Sequence, residues 1–256
     1  MVEDRGAPPA ISIITVCKNA ERTIAGTITS VVSQKRAGDE YLIVDGGSSD
    51  DTLTIIGSMS GVDRLISEPD DGIADAFNKG IAASQGKIIA LVNSGDRLID
   101  GALEEVRCFF MSDRSVDVIH GDVILVHEDR IVKRITPSRF WWEPWRLVLF
   151  NHPATFVRRS VYADHGFFDS RYRVAMDVEI FFRWKKHGVA MRYMPKPLVL
   201  MEAGGISTTR DIQGFREFRD AAVRYGHPAI LAWVQYAGKV LLSRFLRLAS
   251  FLDHHG

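Results

Sequence analysis

The sequence predicts an α/β protein with a mostly parallel sheet flanked by helices, followed by a mixed α+β second half. In the first hundred residues, short apolar runs rich in β-branched residues alternate with longer helical patterns, and polar residues follow most of the runs. Apolar runs of this kind are typical of parallel strands that are buried on both faces. Right-handed crossovers bring the carboxyl ends of such strands to one sheet edge, where ligands bind in open α/β folds.

The first half of the chain is predicted to consist of βα units. Strands are expected at Ile11–Val16, Tyr41–Val44, Arg64–Ser67 and Ile88–Val92, and helices at Arg22–Gln34, Asp51–Met59 and Ile73–Ser84. Each strand is four to six residues long, and each helix follows a strand, which is the pattern that favours a parallel sheet.

After Asp96 the alternation becomes less regular, and the second half is predicted to be mixed. The expected elements are a hairpin of Val116–Val126 and Arg130–Ile135, strands near Ala154–Val157, Ala190–Tyr193 and Leu198–Met201, a helix near Val178–His187, and helical segments to the end. The aromatic stretch Phe140–Phe150 contains Trp141, Trp142 and Trp145, which fit either stacking on an acceptor or packing in a flap. One hydrophobic core can serve this length, so we expect one domain over residues 1–226 and a helical extension over 227–256.

Composition and charge exclude several kinds of protein. Lys plus Arg and Asp plus Glu both total 32, so no overall charge favours nucleic acid as a partner. The two cysteines, Cys17 and Cys108, lack the spacing of a disulfide framework, which indicates a reducing compartment. The polar start and the short first strand do not fit a signal peptide, and no long uncharged apolar run predicts a spanning helix. We therefore expect a cytoplasmic protein.

Two acidic residues at predicted strand ends are candidates for ligand binding. Asp45 precedes a glycine turn and Ser and Asp residues that can cap a helix, so it either hydrogen-bonds a nucleotide or shapes the turn. Asp96 follows the apolar strand of Ile88–Val92, with Asn93 as a weaker neighbour, and is either a ligand for a hard divalent cation or a structural residue. We expect Asp96 to be exposed, so that its removal would leave the fold intact.

Motifs in both halves occur in a characteristic order. They are Thr15–Asn19, Val44–Asp50, Ser67–Gly80, Asn93–Asp96, His120–Asp122, Asn151–Phe156, Arg158–Ser160, Gly166–Asp169 and Ala175–Glu179. In this order and spacing they resemble the family 2 glycosyltransferases of the GT-A fold. Within that family the chain is similar to small bacterial enzymes that decorate lipid-linked or cell-envelope glycans.

The resemblance implies a role for each matching residue. The residues implied to bind the nucleotide sugar are Thr15, Lys18, Asp45, Asp75, Asn78, Asn93 and Asp96. Asp96 would also hold Mg²⁺ or Mn²⁺ against the diphosphate, and Asp177 would be the catalytic base, with Glu179 as the next candidate. His152 fits either contact with the metal or diphosphate, or a hydrogen bond within its own loop.

The implied reaction moves a sugar from a nucleoside diphosphate donor to a hydroxyl of a glycan or lipid-linked acceptor. Negative charge develops on the departing diphosphate, which a divalent cation stabilises, and the attacking hydroxyl needs a carboxylate to take its proton. A single displacement of this kind inverts the anomeric centre.

Two positions depart from the family pattern. The acidic metal motif is reduced to Asn93-Ser94-Gly95-Asp96, and Met176 stands where an acidic residue often precedes the base, which leaves Asp177 a more isolated carboxylate. One carboxylate is enough to anchor a cation already held by phosphates, and one is enough to act as a base.

The segment after Pro228 predicts an amphipathic helix. Its polar face consists of Gln235, Lys239, Ser243, Arg247, Ser250 and Asp253, while Trp233, Leu241, Phe245, Leu248 and Leu252 cover much of the rest. Such a helix fits a membrane surface, with its cations toward anionic lipid, which would place the protein on the inner face of the cell membrane. It fits packing on the domain or on a second copy equally well.

Three other kinds of protein share parts of this pattern. A dehydrogenase needs G-x-G-x-x-G after the first strand, whereas this chain has Cys17-Lys18-Asn19-Ala20-Glu21-Arg22 there, which argues against it. A nucleotidyltransferase has a similar strand pattern but leaves residues 152–177 unexplained. A non-catalytic module that binds a sugar nucleotide or recruits partners to a membrane would need Asp45 but neither Asp96 nor Asp177.

Overall fold

The computed structural model describes residues 10–128, 130–137, 150–203 and 211–253, the last nine of these as backbone only. The strands are β1 (Ile11–Cys17), β2 (Glu40–Asp45), β3 (Arg64–Ser67), β4 (Ile88–Asn93), β5 (Arg97–Leu98), β6 (Val118–His127), β7 (Arg130–Ile135), β8 (Thr155–Arg158) and β9 (Met191–Glu202). The helices are α1 (Ile24–Val32), α2 (Thr52–Ser58), α3 (Ile73–Ala83), α4 (Ala102–Ser112), α5 (Arg159–His165), α6 (Met176–Lys186), α7 (Asp211–Arg224) and α8 (Ala229–Asp253). A single turn of 3-10 helix covers His152–Ala154.

These strands form one sheet in the order β3-β2-β1-β4-β8-β6-β9-β5, with β7 paired to β6. The four strands from β3 to β4 are parallel, as predicted, and β9 is parallel to β6. Strand β8 lies between β4 and β6 and is antiparallel to both. The carboxyl ends of β1, β2 and β4 therefore meet at one edge, and the fold class predicted from the sequence is confirmed.

Side chains alternate between the two faces of β1, and helices cover both faces. Ile13 faces the side of α1, whereas Ile14 faces the side of α3, and both are fully buried. On the α3 side the packing is close, because a Cβ on Gly80 would lie 2.4 Å from Cγ2 of Ile14. The continuous apolar runs of the sequence follow from this burial on both faces.

A buried ion pair joins α4 to the beginning of the sheet. The Arg107 guanidinium donates hydrogen bonds to both carboxylate oxygens of Asp39, one of them at 2.8 Å, and both side chains are almost completely buried. Asp39 also accepts hydrogen bonds from the backbone N–H groups of Ile11 and Arg36, each at 2.9 Å. Burial opposes ionisation of Asp39, but Arg107 and these N–H groups outweigh it and lower the pKa of the carboxyl.

The second half differs from the prediction in its element boundaries. The two strands expected at Ala190–Tyr193 and Leu198–Met201 are one strand, β9, whose pairing with β6 shifts register around Asp122. Pro195 and Pro197 lie between the two predicted strands. The register shift accommodates these prolines within one continuous strand. Helix α6 begins two residues earlier than predicted, and the expected hairpin is present as β6 and β7.

Helix α8 packs on α7 through part of its polar face. The Lys239 ammonium lies 4.3 Å from the centre of the Phe218 ring, and the Ser243 hydroxyl donates a hydrogen bond to Asp211. Burial lowers the pKa of Lys239 to about 8. Of the two alternatives for the polar strip, lipid or protein, Lys239 and Ser243 face the protein.

The apolar side of α8 consequently faces outward. Ile230 is 79% exposed, Leu241 is 67% exposed, and Val234 and Leu242 lie on the same exposed side. Within the described part of the chain, no helix is apolar over a length that would cross a membrane. Trp141, Trp142 and Trp145 lie outside the described residues, and the division into residues 1–226 and 227–256 stays a prediction.

Candidate active site

The Asp45 carboxylate is fully buried at the end of β2 and organises the loop that follows it. Its oxygens accept hydrogen bonds from the backbone N–H groups of Gly47 (3.1 Å) and Ser48 (3.0 Å), and from the hydroxyls of Ser48 and Ser67. Although burial opposes ionisation, these donors lower the pKa of Asp45. Asp45 therefore shapes the turn, and its direct contact with a nucleotide stays a prediction.

Thr15 is held inside the sheet. Its side chain is fully buried within β1, and its hydroxyl lies 3.0 Å from the hydroxyl of Tyr41 on β2. The side chain therefore joins two strands in the core. That Thr15 binds the nucleotide stays a prediction.

The loop after β1 is fixed to the loop after β2 through Asn19. The backbone N–H of Asn19 donates to the Ser48 hydroxyl at 2.8 Å, and its side-chain oxygen accepts from the N–H of Ser49 at 2.9 Å. Asn19 has a φ of 51°, a left-handed conformation that asparagine adopts more readily than most residues. Its neighbour Lys18 is exposed at this edge, so its ammonium group is accessible to an anionic ligand.

Asp96 and Asn93 form a pair at the carboxyl end of β4. The Asn93 amide donates a hydrogen bond to Asp96 Oδ2 at 3.0 Å, and burial raises the pKa of Asp96 to about 7. The expectation that Asp96 is exposed is wrong, because only 5% of its surface is accessible: the loop folds back so that its backbone carbonyl accepts a hydrogen bond from Thr27.

This pair fits a divalent cation that is also held by phosphates. Asn93 Oδ1 is buried and has no hydrogen-bond partner, which leaves one free oxygen beside the Asp96 carboxylate. Mg²⁺ is commonly bound through one or two carboxylates, with substrate phosphates and water as the remaining ligands. Among the described residues, no group of three or more His, Cys, Asp or Glu side chains could hold a metal by itself.

Helix α3 carries two predicted sugar-binding residues, and the structure assigns them different environments. The Asn78 amide both donates to the carbonyl and accepts from the N–H of Phe168, each at 2.9 Å, so its hydrogen-bonding groups join α3 to the loop before α6. That Asn78 lies near the ribose or the sugar stays a prediction. Asp75 is partly exposed, pairs with Lys79 at 3.1 Å, and accepts from the N–H of Asp71.

His152 lies among aromatic rings at the turn before β8. Its ring centre is 5.3 Å from that of Phe77, 5.6 Å from Phe168 and 6.4 Å from Phe150. Burial in these surroundings lowers the pKa of His152 to about 4, so the imidazole is neutral at physiological pH. A neutral imidazole can still accept or donate one hydrogen bond, but it does not supply positive charge to a diphosphate.

Asp177 is the second residue of α6 and is partly exposed. Its Oδ1 accepts a hydrogen bond from the N–H of Val178 at 2.8 Å, and no side chain of a described residue donates to it. Burial by the surrounding protein, together with the charge of Glu217, raises the pKa of Asp177 to about 6. A carboxylate with this pKa is ionised at neutral pH and able to take a proton.

The sequence did not identify Glu217 as a neighbour of Asp177. Its carboxylate, on α7, accepts hydrogen bonds from the N–H groups of Val174 (2.7 Å) and Ala175 (2.9 Å), immediately before α6. Met176 occupies the position where an acidic neighbour was expected, and Glu217, about forty residues later in the chain, supplies the nearby negative charge instead. No local motif could indicate this. Glu179, the alternative base, is buried and bonded to Arg183 and Tyr225, so it is structural.

Two contacts hold the start of α6 next to the sheet edge. The Arg173 guanidinium donates a hydrogen bond to the carbonyl of Asp71, in the loop that follows β3. The Asn78–Phe168 pair fixes the preceding part of the same loop to α3. Asp177 therefore lies on a segment fastened to the elements that follow β3, and the structure shows no direct contact between Asp177 and Asp96.

Comparison with known protein families identifies the class to which this fold and site belong. The model of the family described as Glycosyl transferase family 2 matches residues 12–181. The chain therefore belongs to family 2 of the glycosyltransferases, and it is an enzyme of the glycosyl-transferring class.

Individual relatives and solved structures agree with that assignment. A PGL/p-HBAD biosynthesis glycosyltransferase of Mycobacterium bovis is 29% identical over 248 residues, covering 92% of this chain and 93% of that protein. The Escherichia coli UDP-Glc:alpha-D-GlcNAc-diphosphoundecaprenol beta-1,3-glucosyltransferase WfgD is 32% identical over 132 residues, or 50% of this chain and 52% of WfgD. The crystal structure of S. aureus TarS 1-349 in complex with UDP has a TM-score of 0.67 at 16% identity, covering 90% of this chain and 70% of that one. This likeness shows the fold, which is GT-A.

Proposed function

We propose that the enzyme transfers a sugar from a nucleoside diphosphate donor to a hydroxyl group of a lipid-linked cell-envelope glycan, with inversion at the anomeric carbon. The observation that carries this proposal is the arrangement at the carboxyl edge of the sheet. An accessible lysine, Lys18, and a buried Asn93–Asp96 pair with a free oxygen occur there, and the start of α6 with Asp177 is fastened alongside.

The donor would bind across the ends of β1, β2 and β4. Lys18 is placed to pair with the diphosphate, and Asp45 acts indirectly by holding the loop shape against which the nucleotide rests. Asn93 and Asp96 would hold Mg²⁺ or Mn²⁺, which stabilises negative charge on the departing diphosphate when bound. The printed name of the WfgD relative specifies UDP-Glc, so UDP-Glc is the first donor to test.

Asp177 would act as the base. As the acceptor oxygen forms its bond to the anomeric carbon, the hydroxyl proton moves to the Asp177 carboxylate, and the bond from that carbon to the diphosphate breaks with its electron pair leaving on the diphosphate. Glu217 supports this role by holding the backbone before α6 and by keeping negative charge nearby, which makes the carboxylate a better proton acceptor.

The acceptor would be presented at a membrane surface. The outward side of α8 carries Ile230, Val234, Leu241 and Leu242, an apolar face suited to the boundary between lipid head groups and acyl chains. The WfgD relative is named for a diphosphoundecaprenol acceptor, a lipid-linked glycan. We therefore place the protein peripherally on the inner face of the cell membrane.

A thermal-shift series tests donor binding directly, because a ligand that binds only the native state raises its melting temperature. The series uses UDP, GDP, CDP and ADP with and without Mn²⁺, followed by a transfer assay with the matching nucleotide sugars and a synthetic sugar-diphosphate acceptor. The expected result is a Mn²⁺-enhanced shift by one nucleoside diphosphate and product with inverted anomeric configuration. Retained configuration, or the absence of transfer from every donor, would contradict the proposal.

A further inference from the structure

An open cleft of about 430 Å³ lies between the loop before α6 and one side of α7. Three arginines line it: Arg171 from the loop, and Arg216 and Arg224 from α7. Residues 216, 220 and 224 of α7 face the same side because they are spaced four residues apart. The described elements thus bring guanidinium groups from two different segments to one cavity.

The carboxylates at this cleft are each already engaged. Glu217 is bonded to the backbone before α6, and Asp220 accepts hydrogen bonds from Arg219. Asp169 accepts three hydrogen bonds from the Arg171 guanidinium, of which the shortest is 2.6 Å, and it pairs with Arg224 at 3.3 Å.

Arg216 differs from the other two lining arginines. Its side chain is exposed, and it forms no ion pair with any residue that the structure describes. Arg171 and Arg224 are oriented in advance by Asp169, so little conformational freedom is lost when they meet a ligand. A planar guanidinium donates two parallel hydrogen bonds to phosphate oxygens, which makes such a group of arginines suited to a phosphate or diphosphate.

The cleft lies next to the candidate base. Glu217 forms part of its wall and, through the same carboxylate, accepts hydrogen bonds from Val174 and Ala175, just before Asp177. Helix α8 packs on α7, where the Arg219 guanidinium lies 4.0 Å from the centre of the Trp233 ring.

We propose that this cleft binds the phosphate or diphosphate group of the acceptor and so places the neighbouring sugar hydroxyl at Asp177. The inference rests on the proposed function, because it assigns the cleft to the acceptor of that reaction. It adds a second anion site, separate from the proposed donor site at the carboxyl ends of β1, β2 and β4. Within this cleft, Arg216 is the arginine that forms no ion pair with a described carboxylate.

Inorganic pyrophosphate is the probe for a binding test that does not require catalysis. Isothermal titration is performed on the full chain in buffer with a chelator, because diphosphate binding at the Asn93–Asp96 pair would need the metal. Arg216→Gln is expected to raise the pyrophosphate Kd by about tenfold, the effect of losing one charge-assisted hydrogen bond. Arg64→Gln is the matched control, since Arg64 is an exposed arginine at the amino end of β3. Its Kd should stay within about twofold of wild type. Equal affinity in wild type and Arg216→Gln would overturn the proposal.

Two further arms separate acceptor phosphate from lipid head groups. With a short-chain sugar diphosphate as acceptor, Arg216→Gln should raise the acceptor KM by about tenfold with little change in kcat, and it should leave the KM for the same sugar without phosphate unchanged. Binding to phosphatidylglycerol vesicles should also be unchanged. Weaker vesicle binding with an unaltered pyrophosphate Kd would assign Arg216 to lipid head groups and overturn the proposal. Failure of transfer with every donor would contradict the proposed function but leave the pyrophosphate result standing.

Discussion

At the scale of single residues, the environment of each carboxylate decides its chemistry. Asp45 accepts several hydrogen bonds and is held ionised, whereas burial raises the pKa of Asp96 to about 7 and that of Asp177 to about 6. The Asp45 carboxylate is thus bonded to its own loop and to Ser67, while no described side chain donates to the Asp177 carboxylate. The same residue type thus serves as a loop organiser in one place and a candidate base in another.

Asp177→Asn should act on the chemical step. The amide keeps the size of the side chain but cannot accept a proton, so kcat should fall by about 10²–10⁴-fold while the directly measured donor Kd stays within a few-fold of wild type. Asp164→Asn, on the exposed surface of α5, is the matched control and should leave kcat unchanged. A large loss of donor affinity would reassign Asp177 to the donor site.

The activity of the wild-type enzyme should depend on pH through the same carboxyl group. Only the ionised form is a base, and the pKa of Asp177 is raised to about 6, so kcat, measured with saturating metal and donor that keep Asp96 ionised, should fall as the pH drops below about 6 and level off above it. A profile measured from pH 4.5 to 8 should lose this step in the residual activity of Asp177→Asn. A wild-type profile that stays flat through pH 6 would exclude Asp177 as the titrating base.

Asp96→Asn should separate metal binding from folding. Ionising a buried carboxylate is costly, so its replacement by a neutral amide should leave the free energy of unfolding, measured in chelator, unchanged or higher. The Mn²⁺-dependent part of the thermal shift with nucleoside diphosphate should disappear. An undiminished response to Mn²⁺ in this variant would show that the cation binds elsewhere.

At the scale of elements, the sequence predicted most of the parallel half and less of the second half. The runs that became β1, β2 and β4 are apolar because both faces are covered, and that burial is visible in composition alone. Strand β9 was predicted as two strands, because its continuity depends on pairing with β6, more than seventy residues away. The hydrogen-bond partners of Thr15, Asn78 and Glu217 were not predicted for the same reason: they are distant in sequence and leave no local motif.

The ion pair between α4 and the sheet predicts a large effect on stability. Arg107→Met would leave the Asp39 carboxylate buried without its partner and should reduce the free energy of unfolding by about 3–5 kcal/mol. The matched control is Arg36→Met, which breaks an exposed pair with Glu104 and should cost at most about 1 kcal/mol. Chemical denaturation of the two variants makes the comparison. Similar losses in both would mean that the buried pair contributes no more than a surface one.

At the scale of the whole molecule, the two sides of α8 have different characters. Its inward side meets α7 through Lys239, Ser243 and the buried Ala232, and its outward side is apolar. The sequence predicted the amphipathic pattern correctly. Which side of the helix faces inward depends on the contact of Lys239 with Phe218 of α7, and the pattern of the helix alone does not indicate that contact.

Membrane association can be tested on this outward side without disturbing the fold. Replacing Ile230, Val234 and Leu241 together by Gln should leave the melting temperature nearly unchanged, because all three are exposed, and should lower the fraction sedimenting with anionic vesicles by at least about tenfold. Ile131→Gln with Val132→Gln on β7 is the control, since those side chains are also apolar and exposed.

Deletion of all residues after Gly226 removes the whole of α8 and also tests membrane association. It removes the apolar face but also uncovers Phe218 on α7, so insolubility of the shortened chain would report the lost packing. The Gln variant decides the question: undiminished vesicle binding by it would favour contact of α8 with protein.

The strand order has a consequence for synthesis on the ribosome. Strands β1 to β4 are complete within the first 93 residues, but the outer edge of β4 is paired only when Thr155–Arg158 adds β8. Until that segment has emerged, the nascent chain carries a long, apolar and unpaired strand edge, which is the kind of surface that templates aggregation. A ribosome stalled after residue 93 and before Arg158 would therefore hold a nascent chain whose unpaired β4 edge needs protection by chaperones.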